Sequence, residues 1–335
     1  MNDQILILSR VNIETLLAQG DAKVAMQIID LMAKTFAEYT QGCSGDPQKA
    51  LKAQSPQRIT VSTDSHKVLF MPSRLQETTS IKIVSVPTKS GLSGLPATTL
   101  VLDEQTGSVK AVMNAAALTA VRTAAGSGLA TRYYANPASK NLVVFGAGAQ
   151  GRSHVDMMIA VCPTIKTIAI WNRGEERRLQ LIQELKEAYP DRTFVSANED
   201  LQAHVEQADI VCTCTNATDP VLFGAWLKPG VHVNCVGSYR MDMHEVDAET
   251  IKRAEVIVVD SVDACAHEAG ELVKSSDPKD WVEMGRIVLE KRDTEQDRQK
   301  ITLFKSVGIS VQDSAISGLM VERAEQEKLG SYVQF

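Results

Sequence analysis

The sequence lacks any long apolar run, and no stretch reaches the roughly 18 residues that a membrane-spanning helix needs. It also lacks an excess of positive charge, because 35 Lys and Arg residues are outnumbered by 41 Asp and Glu residues and the formal net charge is −6. A basic surface for nucleic acid or anionic lipid is therefore excluded. The first residues have neither the charged region nor the cleavage site of a signal peptide. Together these absences predict a cytoplasmic protein without nucleic-acid or membrane partners.

The sequence also lacks cysteine or histidine at metal-ligand spacing. The six cysteines and six histidines are scattered along the chain. Neither type forms the closely spaced pairs of a zinc site, and no Ser-His-Asp arrangement is visible. The sequence therefore predicts no metal, buried reduced thiols and structural histidines.

The length and composition are those of a soluble globular protein. The chain has 335 residues, of which 44% are hydrophobic and 23% are charged. Such a length predicts two domains. We place the first domain at residues 1–125 plus 305–335 and the second at residues 126–304. The expected fold class is α/β, with a Rossmann-type doubly wound parallel sheet in the second domain and an α+β arrangement in the first.

The first part of the chain has short apolar runs separated by turn residues. A strand at Ile5–Leu8 precedes helices at 11–18 and 22–39, and residues 42–56 read as a polar connector. Five β-like runs then predict an antiparallel sheet or partial barrel, at residues 58–63, 67–71, 79–87, 97–102 and 108–113. One of the turns between them is predicted at Lys89-Ser-Gly91. A helix of mostly small residues follows at 116–134, and small side chains allow close packing.

A glycine motif opens the second domain. Leu142–Phe145 reads as a buried strand, and Gly146, Gly148 and Gly151 follow it in G-x-G-x-x-G spacing at the start of a helix. The first glycine allows the turn, the second lets backbone approach a pyrophosphate, and the third lets helix pack on strand. The helix N-terminus favours phosphate. This context predicts a dinucleotide site; the alternative is an ordinary glycine-rich turn.

The rest of the second domain alternates strands with helices, which predicts a parallel sheet. Its strands are expected at residues 142–145, 167–171, 193–195, 210–213, 232–236 and 256–260. Residues 274–300 read as short surface helices. Thr302–Gly308 resembles a strand and turn, and a helix at 312–329 is expected to return to the first domain.

The end of the second strand of the parallel sheet predicts the cofactor. NAD sites have an acid there for the ribose 2′-hydroxyl. This chain has Asn172 and Arg173 instead, with Arg177 one helical turn later. An arginine can pair with a 2′-phosphate, so we predict NADP(H) in preference to NAD(H). The alternative is that Arg173 is a solvated loop residue, and Glu175 and Glu176 lie nearby.

Several blocks carry a family resemblance. The run Val109–Ala130 with its Leu118–Ala125 core, the glycine turn and the segments Val236–Ser238 and Phe304–Gly308 with Asp313 closely resemble the ornithine cyclodeaminase/mu-crystallin family. The resemblance covers nearly the whole chain. It implies a bipartite fold and a homodimer built through the first domain's sheet.

The resemblance also implies a binding site for a small amino or imino acid. Its carboxylate-binding set corresponds to Arg58, Lys82 and Arg122. Lys82 lies between two isoleucines, where a charge is costly unless it is paired or faces a site. Two arginines suit a planar carboxylate. Lys82 is our candidate proton donor or orienting cation; the alternative is that these residues are structural ion-pair partners.

The cofactor contacts carried over from the family lie at the glycine turn and at the ends of strands. They comprise Gly146, Gly148, Ala149, Gln150, Gly151, Asn172, Arg173, Arg177, Thr215, Val236, Ser238 and Arg122. Ligands bind beyond the carboxyl ends of strands in such sheets. For Thr215 the alternative is a simple turn residue.

One departure from the family pattern bears on the chemistry. Ornithine cyclodeaminases carry a catalytic Asp two residues after the glycine of the fifth strand, where this chain has Tyr239. A carboxylate there would hold a cationic amine. Mu-crystallin and the ketimine reductases lack it, so we predict an NADPH-dependent reductase of cyclic imino acids such as Δ1-pyrroline-2-carboxylate or Δ1-piperideine-2-carboxylate. Tyr239 is a second candidate proton donor, or else a residue at the pocket rim.

Three other functions remain open from the sequence. The first is an ornithine cyclodeaminase that converts ornithine to proline and ammonia. The second is a mu-crystallin-like protein that binds NADPH and a small ligand with little turnover. The third is an amino-acid dehydrogenase or opine-type reductase.

Overall fold

The computed structural model describes residues 4–89 and 94–334. The chain forms two compact units. The first contains the chain up to Gln19, Lys34–Arg122 and the chain from Ile309, and the second contains Gly20–Ala33 and Thr123–Gly308. The predicted turn at Lys89-Ser-Gly91 extends outside the described residues.

The strands are numbered here in chain order. They are β1 Gln4–Leu8, β2 Ala53–Gln54, β3 Ile59–Ser62, β4 His66–Leu75, β5 Thr78–Pro87, β6 Ala97–Leu102, β7 Val109–Asn114, β8 Asn141–Phe145, β9 Thr167–Trp171, β10 Thr193–Ser196, β11 Ile210–Thr213, β12 His232–Cys235, β13 Val256–Val259, β14 Val282–Glu283, β15 Thr302–Lys305 and β16 Ser331–Gln334.

The α-helices are numbered in the same way, and short 3-10 turns are left unnumbered. They are α1 Arg10–Leu17, α2 Ala22–Gly42, α3 Pro47–Lys52, α4 Ala116–Tyr134, α5 Ala149–Val161, α6 Glu175–Ala188, α7 Leu201–Gln207, α8 Ala248–Arg253, α9 Val262–Glu268, α10 Gly270–Val273, α11 Met284–Glu290 and α12 Val311–Glu327.

The first unit is built on a sheet in the order β16-β1-β7-β6-β5-β4-β2, with β3 also paired to β4. The pairing is antiparallel, as predicted, except that β1 runs parallel to β7. Helix α12 packs on β4 and β5 and buries Ile316 and Met320. The terminal strand β16 was not predicted; it adds an edge by pairing antiparallel with β1.

The predicted polar connector at residues 42–56 was wrong in part, because it contains helix α3 and strand β2. The Asp46 side chain accepts hydrogen bonds from the backbone N–H groups of Gln48 and Lys49, and Pro47 occupies the first turn. An acidic cap followed by proline is a strong signal for a helix start. The short length of the helix concealed it in the polar sequence.

The second unit contains a parallel sheet in the order β10-β9-β8-β11-β12-β15-β13-β14. The predicted Rossmann-type doubly wound sheet is confirmed. Two details differ from the prediction. Strand β15 is inserted between β12 and β13, and β14 forms an edge within a stretch that was predicted to contain only surface helices. All four residues of β15 are buried, since it has strands on both sides.

The small residues of α4 allow close helix packing within the second unit. A Cβ added at Gly128 would lie 2.9 Å from Cδ1 of Ile29 on α2. On the α5 side, Ser127 Oγ lies 2.9 Å from Nε2 of His154, and Thr131 contacts the sulfur of Met158. Larger side chains at these positions would separate the helices.

The cysteines are free, and four of them are buried. The prediction of buried thiols was wrong for Cys43, which is exposed after α2, and holds only in part for Cys214, which is half-buried. Within residues 4–89 and 94–334, no helix is long and apolar enough to cross a membrane. Over those residues, no group of three or more His, Cys, Asp or Glu side chains is arranged to hold a metal ion.

Candidate functional site

The geometry of the glycine turn between β8 and α5 requires glycine at Gly146 and Gly151 and leaves open space at Gly148. Gly146 has a φ of +107°, and a Cβ there would lie 2.6 Å from the Cys214 carbonyl oxygen. A Cβ at Gly151 would overlap the carbonyl oxygen of Gly146. In contrast, a Cβ at Gly148 would meet nothing within 4 Å.

Gly148 is the N-cap of α5, and no side chain caps its N–H groups. Uncapped N–H groups beside open space fit a pyrophosphate. Gly148 and Ala149 are both exposed, and Gln150 is half-buried behind them. The residues of this turn therefore fit a dinucleotide.

Asn172 links the end of β9 to the glycine turn. Its Oδ1 accepts a hydrogen bond from the backbone N–H of Ala147 at 3.1 Å, and its Nδ2 donates to the carbonyl of Gly174 at 2.8 Å. Arg173 and Arg177 are exposed at this tip. They are therefore placed where a ligand beyond the end of β9 can reach them.

Arg178 was missed in the sequence. It is buried, and it donates to the Asn172 carbonyl at 2.9 Å and to Ser196 Oγ at 2.7 Å. It thus fixes the loop that carries Asn172 and Arg173. The signal that could have identified it is its position one turn into α6, next to the buried Leu181 and Ile182.

Glu245 joins the ends of β11 and β12. Its Oε1 accepts from the backbone N–H of Thr215 at 2.6 Å and from the Thr215 hydroxyl at 2.8 Å. Its Oε2 accepts from the backbone N–H of Gly237 at 2.6 Å and from the Thr213 hydroxyl at 2.9 Å. The Thr215 hydroxyl proton is thus used inside the protein, so a cofactor contact by Thr215 would involve its other atoms.

Ser238 belongs to a second buried group, with Glu271 and Lys305. The Lys305 ammonium donates to Glu271 Oε1 at 2.6 Å and to the Ser238 carbonyl at 2.7 Å, and the Ser238 hydroxyl donates to Glu271. Glu271 also accepts from the backbone N–H of Glu245 at 2.7 Å. The side chain of Ser238 therefore fixes the end of β12, and its backbone carbonyl is bound by Lys305.

In this group, burial and the charges of neighbouring side chains shift the pKa values in opposite directions. Burial raises the pKa of the Glu245 carboxyl. Burial would also raise the pKa of Glu271, but the Lys305 ammonium holds it below its usual value. The pKa of Lys305 is raised despite burial, because it faces Cys235, Glu271 and Glu245.

Tyr239 and Val236 are both half-buried after β12. The Tyr239 ring packs against the core of the second unit, and the guanidinium of Arg240 lies 5.8 Å from the ring centroid. The ring of Tyr239 is therefore held just beyond the end of β12, two residues after Gly237.

Two of the three predicted carboxylate-binding residues share one acid in the first unit. Lys82 Nζ lies 2.8 Å from Oδ2 of Asp313, and Arg122 Nε lies 3.2 Å from its Oδ1. Arg122 also donates to Oε1 of Gln312 at 3.0 Å. Lys82 and Arg122 are only 1% and 4% exposed. Strand β5, helix α4 and helix α12 thus bring two cations and one anion together.

The charged groups of this trio shift the pKa values of one another. Burial lowers the pKa of Lys82 to about 8, Asp313 opposes this, and the cations of Arg122 and Arg58 add to the lowering. Burial would raise the pKa of Asp313, but Lys82 and Arg122 hold it below its usual value. The half-buried Arg58 therefore acts electrostatically on Lys82. At neutral pH the trio has one net positive charge, which suits an anionic ligand.

Asp313 and Gln312 were not predicted as site residues, although Asp313 belongs to a recognised block. A buried hydroxyl network holds the helix that carries them. Ser73 Oγ lies 2.7 Å from Ser314 Oγ and donates to the Ser310 carbonyl, and Ser80 Oγ lies 2.8 Å from Ser314 Oγ. Since Ser80 and Lys82 are on the same face of β5, this network fixes α12 beside Lys82.

The buried histidines are not proton donors at neutral pH. Burial lowers the pKa values of His154 and His232 to about 4. Both rings are held by neighbouring groups, including the carbonyl of Gln150 at 2.8 Å and the hydroxyl of Thr302 at 2.9 Å.

Known proteins resemble this chain over most of its length. The model of the ornithine cyclodeaminase/mu-crystallin family matches residues 8–328. A Delta(1)-pyrroline-2-carboxylate reductase of Bacillus cereus is 34% identical over 292 residues, which are 83% of this chain and 87% of the relative. The ketimine reductase mu-crystallin of Rattus norvegicus is 31% identical over 311 residues, which are 91% of this chain and 94% of the relative.

A solved structure has the same fold. The Delta(1)-pyrroline-2-carboxylate reductase of Thermococcus litoralis, in complex with NADH and L-proline, superposes with a TM-score of 0.87 at 29% identity. The match covers 98% of this chain and 100% of the other chain. Both units therefore have counterparts in a single known protein.

Proposed function

Because this chain belongs to the ornithine cyclodeaminase/mu-crystallin family, we propose that it reduces small cyclic imino acids with NADPH. The chain is an NAD(P)H-dependent oxidoreductase acting on C=N and CH–NH bonds. The substrates we favour are Δ1-pyrroline-2-carboxylate and Δ1-piperideine-2-carboxylate. The relatives named for the first of these support that choice.

The observation that carries the proposal is the buried trio of Lys82, Arg122 and Asp313. A lysine with a pKa of about 8 can release a proton near neutral pH. An arginine beside it can hold the substrate carboxylate through charge-assisted hydrogen bonds. A cyclic imino acid needs both groups, because its carboxylate must be held while its ring nitrogen gains a proton.

The residues of this chain have separate roles in the proposed reaction. Arg122 and Arg58 bind the carboxylate of the substrate and orient its ring. Lys82 donates the proton that the ring nitrogen needs, and Asp313 orients the Lys82 ammonium and keeps it charged. Tyr239 is the second candidate donor. Bound NADPH supplies the hydride, and the protein contributes position and charge.

The residues that would hold the cofactor lie at the ends of β8, β9, β11 and β12. The turn at Gly146, Gly148 and Gly151 would hold the pyrophosphate with Ala149 and Gln150. Asn172, Arg173 and Arg177 would bind the adenosine ribose and its 2′-phosphate, and the exposed cationic side chains of Arg173 and Arg177 support NADPH over NADH. Thr215, Val236 and Ser238 would contact the nicotinamide end through backbone atoms.

A panel of substrates tests the function. NADPH oxidation would be followed with pyrroline, piperideine and thio-substituted imine carboxylates, and with pyruvate plus an amine. We expect steady turnover with at least one cyclic imine. Proline and ammonia formed from ornithine without added reductant would instead identify a cyclodeaminase. Binding of NADPH without turnover of any imine would identify a binding protein.

We also propose that the protein works as a cytoplasmic homodimer that associates through the first unit's sheet. Ile59 and Val61 on strand β3 are 62% and 49% exposed, which is unusual for neighbouring apolar side chains. Light scattering during size-exclusion chromatography tests the assembly. A Val61→Lys variant should shift the dimer towards monomer; a wild type that elutes as a monomer contradicts the proposal.

A further inference from the structure

The carboxyl-terminal edge of the parallel sheet contains an unbalanced set of buried charges. Glu245, Asp260, Glu271 and Lys305 are each at most 2% exposed. Lys305 ends β15, and Asp260 directly follows β13. Three carboxylates and one ammonium leave two formal negative charges at this edge.

Hydrogen-bond donors surround Glu245 and Asp260, and the Thr215 donors oppose the rise in the Glu245 pKa that burial causes. Glu245 receives a backbone N–H on each oxygen, from Thr215 and Gly237, both at 2.6 Å. Asp260 likewise receives backbone N–H groups on both oxygens, from Ser261 at 2.9 Å and Gly308 at 2.8 Å. A backbone N–H donates and cannot accept a hydrogen bond, so both oxygens of each carboxyl group are held by at least one donor of fixed direction.

Lys305 compensates only one of these acids directly. Its ammonium is 2.6 Å from Glu271. Glu245 contacts the backbone N–H groups and hydroxyls of strand ends, and Asp260 contacts backbone N–H groups, the Ser306 hydroxyl and the Cys265 thiol. Glu245 and Asp260 therefore have no ion pair of their own, and Lys305 acts on Glu245 only at longer range.

These charges lie at the ends of strands on one side of β8 in the sheet, on the side away from β9. A doubly wound sheet has two mononucleotide-binding halves, which meet where the strand order reverses. The glycine turn and Asn172 belong to the β8–β9 half, which takes the adenosine. The ends of β11 and β12, which Glu245 joins, belong to the other half. The nicotinamide ring carries a positive charge when oxidised and none when reduced.

We propose that Glu245 and Asp260 provide a buried negative potential that stabilises the oxidised nicotinamide relative to the reduced one. Transfer of a hydride with its two electrons to the imine carbon would leave a positive charge on a bound nicotinamide, and the negative charge of Glu245 and Asp260 would favour that change. Glu245 and Asp260 are thus positioning and electrostatic residues that bias the cofactor towards hydride donation. The inference rests on the proposed function, since it requires a nicotinamide in this half.

Two variants separate the charge of Glu245 from its geometry. Glu245→Gln removes the charge at constant volume. Thr213→Val is the matched control, because it removes one hydrogen bond to the same carboxylate and leaves the charge in place. The dissociation constants of NADPH and NADP⁺ would be measured without substrate, by nicotinamide fluorescence and by calorimetry.

We expect Glu245→Gln to raise the ratio of the NADP⁺ constant to the NADPH constant by about fivefold, as a nearby unit charge in a partly screened site should. Thr213→Val should leave this ratio unchanged, even if both constants rise. If the ratio is unchanged in Glu245→Gln, or if it rises equally in Thr213→Val, the inference is overturned and the proposed function still stands. A wild type that binds neither form would overturn the proposed function as well.

If circular dichroism shows that Glu245→Gln does not fold, Asp260→Asn takes its place. Its matched control is Ser306→Ala, which removes one hydrogen bond to Asp260 without changing charge. The same rise in the ratio is expected for Asp260→Asn and none for Ser306→Ala. An equal ratio in wild type and Asp260→Asn would overturn the inference.

Discussion

Lys82 Nζ lies 2.8 Å from Asp313 Oδ2, and both side chains are almost wholly buried. Removing one member of a buried ion pair leaves the other charge uncompensated, which costs about 3–5 kcal/mol. Here Arg122 also contacts Asp313, so the acid keeps one partner if Lys82 is lost. The lysine can therefore be replaced with less damage to the fold than the acid.

Replacing Lys82 with methionine should remove the proposed proton donor while preserving its volume. We expect kcat for imine reduction to fall by about 100-fold, the usual contribution of general acid catalysis. The dissociation constant of NADPH should change by less than about twofold, because the glycine turn is untouched. Stopped-flow turnover and fluorescence titration measure the two quantities.

The matched control for Lys82 is Lys110→Met, which alters a half-exposed lysine paired with Glu325 in the same unit. It should leave kcat unchanged. If Lys82→Met keeps wild-type turnover, Lys82 has no role in the reaction, and Tyr239 becomes the first candidate donor.

The pH dependence of the reaction should report the charge of Lys82. Its pKa is lowered to about 8, so the ammonium that donates the proton is lost as pH rises through that value. We expect kcat/KM to fall above about pH 8. Asp313, Arg122 and Arg58 face Lys82, and of these only Asp313 raises its pKa. In Asp313→Asn the fall should therefore begin at lower pH.

The profile would be measured for wild type, Asp313→Asn and Lys82→Met with the same imine. Titration of the substrate is common to all three, so a limb that is present in wild type and absent in Lys82→Met belongs to the lysine. A limb that stays at the same pH in Asp313→Asn would contradict the assigned pairing. The thermal midpoint of Asp313→Asn should also fall, because two buried cations lose their partner.

Local signals in the sequence were enough to predict much of the fold. The alternation of apolar strands with helices predicted the parallel sheet. The G-x-G-x-x-G spacing predicted a turn whose geometry requires glycine at positions 146 and 151. The elements that were missed are short or terminal. Helix α3, strand β14 and strand β16 have few residues, so their periodicity is too brief to recognise, and they form because a longer element lies beside them.

The candidate site was only partly predictable, because its charge balance depends on residues far apart in the sequence. Lys82 and Arg122 stood out as cations in apolar or small-residue settings. Asp313 in the first unit and Glu245 in the second each contact residues from distant segments, and residue type and spacing alone do not distinguish them from acids on a solvated surface. The pairing follows from the packing of α12 on β5, which the sequence pattern does not specify.

The glycine turn gives a test that separates folding from cofactor binding. A Cβ at Gly148 meets nothing within 4 Å, whereas one at Gly151 overlaps the Gly146 carbonyl. We expect Gly148→Ala to keep its thermal midpoint within a few degrees but to weaken NADPH binding by at least about tenfold, because the methyl group occupies space meant for the pyrophosphate. Gly151→Ala should lower the midpoint clearly. Equal NADPH affinity in Gly148→Ala and wild type would place the pyrophosphate elsewhere.

The choice between NADPH and NADH should depend on Arg173. Its exposed side chain follows the end of β9, where Asn172 fixes the backbone against the glycine turn. A charge-assisted contact with a 2′-phosphate is worth about 1.5–3 kcal/mol, so Arg173→Ala should raise KM for NADPH by roughly 10-fold to 100-fold. The KM for NADH, which lacks that phosphate, should stay within about twofold.

Two controls complete this comparison of cofactors. Arg286→Ala removes an exposed arginine that pairs with Glu290 on α11, and it should leave both constants unchanged. Arg178→Ala should raise the constants for both cofactors, because Arg178 holds the backbone of Asn172. If wild type prefers NADH, or if Arg173→Ala raises the KM values for both cofactors equally, the arginine does not bind the 2′-phosphate. In that case the loop after β9 contributes position without selectivity, and the preference for NADPH is refuted.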